Sequence, residues 1–94
     1  MAKKIIWPCH VWADFTRPDG RRVRMSRIVD GAGGLYGAIQ RVIAARKDKG
    51  AALRGAMIHA ITPLGQRAAV MIDPETGDLI KVDPYVGYDI GPLR

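Results

Sequence analysis

No disulfide can form within this chain, because Cys9 is its single cysteine. Stapled secreted scaffolds need paired cysteines, so a reducing, cytoplasmic setting is expected. Long apolar runs are also missing. No segment approaches the roughly 20 apolar residues of a membrane span, so no membrane partner is expected. The opening MAKKIIWPCHVWADF has two lysines and a short apolar run. His10 and Asp14 cut that run before it reaches signal-peptide length. Histidines number two, His10 and His59. With one cysteine at no recognised ligand spacing they predict no metal site and no cofactor. Cys9 and His10 are neighbours on an expected strand, so they point to opposite faces and form no thiol–base pair. Neither G-x-x-x-x-G-K-[ST] nor G-x-G-x-x-G occurs. Asp30-Gly31-Ala32-Gly33-Gly34 therefore reads as a flexible strand-to-helix connection with Asp30 near the helix start, not a phosphate cradle. No catalytic constellation emerges, and the chain is expected not to be an enzyme.

What remains is a globular composition and an uneven charge map. The 94 residues are 48% hydrophobic and 26% charged, which predicts one domain over 1–94. Formal charge is +6. Residues 1–54 hold twelve Lys and Arg against four Asp, a balance of +8, while residues 55–94 hold three against five acids, a balance of −2. A chain divided in this way should present one positive side, suited to phosphates or an acidic protein.

Three turns punctuate the chain: Arg17-Pro18-Asp19-Gly20, Thr62-Pro63-Leu64-Gly65 and Asp73-Pro74-Glu75-Thr76-Gly77. Proline pre-sets φ and glycine accepts the positive φ that follows, so each reads as a hairpin. Ile5, Trp7, Cys9, Val11, Ala13 and Phe15 alternate as one face of a first strand. Pro8 predicts that this strand lies at an edge or bulges there, and an edge would leave room for dimerisation by strand addition. Its partner spans Arg21–Val29. Leu35, Ala38, Ile39, Val42, Ile43 and Arg46 recur at helical spacing, predicting a helix over 34–49 with Gly50 as C-cap. Strands over 55–62, 67–73 and 78–82 complete a meander. Residues 83–94 are expected to form an irregular arm lying across the domain. The expected fold is α+β: an antiparallel sheet in ββαβββ order with one helix packed on one face. In its core, Ile39, Val42 and Ile43 should meet Val11, Phe15, Val23, Ile58, Val70 and Ile72.

The arginines carry the functional expectation. Arg17, Arg21, Arg22, Arg24 and Arg27 crowd the first hairpin, and Arg41, Arg46 and Lys47 follow on the helix. Arginine grips phosphate or carboxylate bidentately. Trp12 falls on the outward side of the first strand, either as a binding or base-stacking platform or packed under the arm by Tyr85 or Tyr88. Paired strands, a small-residue helix and a short meander, with no catalytic set, resemble small phage-encoded inhibitors of the anti-CRISPR type. That resemblance implies docking on a host protein or nucleoprotein complex through the basic surface, as monomer or homodimer. A nucleic-acid-binding module contacting DNA or RNA phosphates is the alternative. A small ribonuclease toxin drawing on His10, His59, Tyr85 and Tyr88 is the second alternative.

Overall fold

A computed structural model describes residues 7–87 and 89–93. The strands are β1 (Pro8–Thr16), β2 (Arg22–Asp30), β3 (Met57–Ile61), β4 (Arg67–Ile72), β5 (Leu79–Val82) and β6 (Asp89–Pro92), with one helix, α1 (Leu35–Ala45), between β2 and β3. They form a single antiparallel sheet in the spatial order β2-β1-β3-β4-β5-β6. The chain order is therefore ββαββββ, with one strand more than the expected ββαβββ.

The extra strand comes from the segment expected to be irregular. Asp83-Pro84-Tyr85-Val86-Gly87 repeats the D-P-x-x-G chemistry of Asp73–Gly77. In the first turn Asp73 Oδ1 accepts N–H bonds from Glu75 and Thr76, and Gly77 N–H closes on Asp73 O at 2.8 Å. In the second, Asp83 Oδ1 accepts from Tyr85 and Val86, and Gly87 N–H closes on Asp83 O at 2.9 Å. Both glycines sit at positive φ, 79° and 83°. Proline and glycine here build hairpins instead of interrupting the sheet.

β1 is not an edge. β2 pairs along its whole length on one side and β3 pairs with His10–Ala13 on the other. Pro8 is tolerated because its missing N–H would face β3, beyond the last residue of that ladder. Among the described residues the free edges are β2 and the short, proline-ended β6. The first-strand expectation at Ile5 lies outside the described residues.

α1 lies against one face of the sheet and buries Ala38, Ile39, Val42 and Ile43. They meet Cys9, Val11, Ala13, Met25, Ile58, Ala60, Val70 and Ile72, the alternate residues that face the helix. Phe15 packs at the rim, and Val23 stays half-exposed outside the cluster. Leu53, fully buried on a 3-10 turn at Ala51–Leu53, completes the core. β4 is a central strand in which only Arg67 is exposed, as its apolar sequence predicts.

The helix ends four residues before the expected Lys49. Asp48 pairs with Arg46 at 3.0 Å and accepts N–H bonds from Gly50 and Ala52, so it nucleates the 3-10 turn. The Arg46 guanidinium, with those N–H groups, lowers its carboxyl to about 2. Gly50 opens that turn at φ 88° instead of capping the helix. A Cβ on Gly50 would lie 2.8 Å from Ile43 Cγ2, whereas one on Gly20, at φ 86°, meets nothing within 4 Å. Gly20→Ala is expected to cost about 1–2 kcal/mol from backbone strain alone. Gly50→Ala should cost about 1–3 kcal/mol more from overpacking. Urea denaturation of the two variants checks this; equal losses would mean that Ile43 yields without cost.

Candidate partner-binding surface

Alternation divides the basic residues between two faces. On β2, Arg22, Arg24, Ser26 and Ile28 share the face opposite the helix, while Val23, Met25, Arg27 and Val29 share the helix face. Arg24 and Arg27, three positions apart, therefore point to opposite sides. Arg17 and Arg21 lie exposed at the β1–β2 turn. Arg27, Arg41 and Arg46 line a groove between β2 and α1, floored by Val29, Val42 and Ala45. Lys47 lies beside Arg27 and Arg46 at its end.

The groups still converge, because β2 is an edge strand. Arg22 and Arg24 flank it on one face, and Arg27, Arg41, Arg46 and Lys47 on the other. The acids Glu75, Asp78 and Asp89 belong to the β4–β5 turn and to β6, across the sheet. The β4–β5 turn lies three to four strand spacings from β2, roughly 14–19 Å, and β6 five spacings, roughly 24 Å. The sequence asymmetry thus becomes a spatial one.

Two arginines are already engaged. Arg24 makes a bidentate pair with Asp14 at 2.7 and 3.0 Å, directly across β1. That hydrogen-bonded guanidinium holds the Asp14 carboxyl below its ordinary range. Arg46 pairs with Asp48 and lies 5.5 Å over the Phe15 ring. No ion pair to Arg22, Arg27 or Arg41 occurs among the described residues. Arg27 donates to Ser26 O at 2.8 Å, and Arg41 donates to Asp30 O.

Among the described residues, Trp12 packs with side chains of β2 and β3, not with the C-terminal segment. His59, its neighbour on β3, stacks on the indole with centroids 4.2 Å apart and planes 16° apart. Arg24 lies 4.8 Å over the same ring from the β2 side. Both faces of the indole are covered, so a base could stack there only by displacing one of them. Tyr85 instead sits near Arg67, at 5.8 Å; Tyr88 lies outside the described residues. Pairing across β1 and β3 makes the Trp12–His59 contact, and no local pattern in either segment announces it.

Burial lowers the His59 pKa, partly offset by Asp14 and reinforced by Arg67. The unfolded chain therefore binds the proton more readily than the native one, and stability should fall as pH drops below about 6.5. Tryptophan fluorescence is expected to titrate with a midpoint below about 6.5. The same step should vanish in His59→Gln; its persistence there would place the titrating group elsewhere.

His10 Nε2 shares a 2.6 Å hydrogen bond with Ser26 Oγ, on the same open face as His59. Cys9, one residue away, is fully buried in the core, and burial raises its thiol pKa. The Asp30 carboxylate accepts from Ala32 N–H and does not cap α1, whose N-cap is Gly34 with no side-chain bond. Among the described residues no three His, Cys, Asp or Glu side chains gather as a metal set, and no helix is long and apolar enough to cross a membrane.

No family model, curated protein or solved structure matches the chain.

Proposed function

We propose that this chain is a non-enzymatic binding protein that docks its β2 side on a nucleoprotein complex, in the manner of a small phage-encoded inhibitor. The observation that carries this reading is the convergence of Arg22, Arg24, Arg27, Arg41, Arg46 and Lys47 on one free edge, with the acidic β4–β5 turn three to four strands away and Asp89 on the opposite edge strand. A surface polarised in this way steers polyanions to one side and repels them from the other. Arginine is suited to both anionic components of such a complex, phosphate and carboxylate.

Direct binding of nucleic acid alone is the second reading, supported by Arg22, Arg27 and Arg41, which make no ion pair among the described residues. Phosphates, not bases, would be its targets, because the one tryptophan beside the arginines has both faces covered. Affinity capture from a bacterial lysate, with and without nuclease, separates the two when wild type is compared with Arg22→Glu/Arg27→Glu. Capture that survives nuclease but fails in the variant supports the protein-docking reading. Capture lost on nuclease treatment supports the nucleic-acid one, and equal capture by both chains sinks the β2-side reading altogether.

A further inference from the structure

We propose that the outer edge of β2 accepts an extended, acidic segment of a protein partner as a seventh strand of the sheet. This rests on the β2-side reading above and gives the partner its chemistry.

The edge is long enough and oriented for it. β2 has nine residues and, among the described residues, no neighbour on its outer side. Gly31 N–H bonds to Trp7 O and Arg17 N–H to Arg21 O, both at 2.8 Å, and these pairs continue the β1–β2 register at either end. Odd-numbered β2 residues therefore turn their peptide groups toward β1. Arg22, Arg24, Ser26, Ile28 and Asp30 turn theirs outward. Two of those outward carbonyls, of Ser26 and Asp30, are held by Arg27 and Arg41. Each is a cation on a neutral acceptor. An incoming peptide N–H can take the place of the guanidinium on each carbonyl, and the cation so released is free to pair with a carboxylate elsewhere on the partner.

The surroundings fit an added strand on both faces. Its side chains alternate, and those on the helix side would enter the groove between β2 and α1. That groove has the apolar floor Val29, Val42 and Ala45 between the cationic walls Arg27, Arg41 and Arg46. Side chains of the other parity would meet Arg22 and Arg24 on the open face. The preferred segment thus alternates apolar and acidic residues. A second copy is a poorer occupant than an acidic segment, because pairing β2 with β2 gathers three arginines from each strand along one seam. Nucleic acid would meet the same arginines but has no peptide groups to pair with the edge.

The test uses an alternating Glu-Val peptide about as long as β2, a version of it N-methylated at every backbone amide, and oligothymidylate, each titrated into the intact protein. The alternating peptide is expected to shift and protect from exchange the amides of Arg24, Ser26 and Ile28. The N-methylated version, which keeps every side chain and carboxylate but loses the backbone donors, is expected to bind at least about tenfold more weakly. The control lies in the peptide, so the fold of the protein is not at stake. Equal affinity for the two peptides, unmoved edge amides, or a concentration-dependent dimer paired through β2 would each overturn strand addition. If oligothymidylate alone binds, strand addition fails while the β2-side reading stands; if no anionic probe binds, both fall.

Discussion

Replacing Ile39 by Ala is expected to lower the melting temperature by about 12–24 °C, from a loss of about 3 kcal/mol at about 4–8 °C per kcal/mol in a domain of this size. Ile39 is fully buried in the middle of α1. That helix has 11 residues, too few for stability alone in water, so its order depends on the face it buries. The sheet beneath it presents small side chains, Ala13 and Ala60, beside Val11 and Ile58. Small neighbours allow close approach but cannot swell to fill a void, which keeps the cost well above that of a surface truncation. Ile28→Ala, at a position 57% exposed on β2, should stay within about 0.5 kcal/mol. Thermal denaturation followed by circular dichroism measures both. A shift near zero for Ile39→Ala would show that the helix repacks on another face.

The features legible in the sequence were those set by local periodicity. Alternation along β1 and β2 placed Cys9, Val11, Ala13 and Met25 inward and Arg22 and Arg24 outward, and helical spacing found the buried face of α1. Misreadings arose where a distant partner decides the outcome. Pro8 suggested an edge, yet β1 pairs on both sides, and Pro8 is tolerated because the ladder with β3 begins only at His10. Trp12 meets His59 from a strand far along the chain. The helix stopped short because Asp48 offers its carboxylate to the following N–H groups, a competition that helical periodicity does not register. β6 was different, since its signal was local. The turn pentapeptide that opens β5 recurs as Asp83–Gly87, and reading it alike would have given the last hairpin. The split of the arginines was likewise available from parity: Arg24 and Arg27 differ by an odd number and cannot share a strand face.

That split decides how the functional reading is best tested, and the larger effect is expected from Arg22→Glu with Arg27→Glu. The pair flanks β2 on both faces, so the reversal reaches the whole edge. Neither residue is committed to an ion pair among the described residues, unlike Arg24, whose reversal would set a glutamate opposite Asp14 and uncover Trp12. Both arginines are exposed, so the melting temperature should change little. Each reversal removes one positive charge and adds one negative, taking the net charge from +6 to +2. Without two charge-assisted hydrogen bonds to its partner, the variant should bind at least about 100-fold more weakly. Salt then separates the partners. Against nucleic acid, two fewer neutralised phosphates should flatten the log–log salt slope by roughly 1.4–1.8, since each releases a fixed share of condensed counterion. Against an acidic protein no such counterion step exists, and the association rate should slow more than the salt slope changes. Glu75→Lys with Asp78→Lys shifts the net charge equally in the opposite sense, but three to four strands from β2, and should leave affinity within a few-fold of wild type. Net charge alone would make the two variants mirror images. A large loss on the β2 side beside a small change on the acidic side therefore assigns binding to the edge, and the reverse pattern would assign it to the β4–β5 turn.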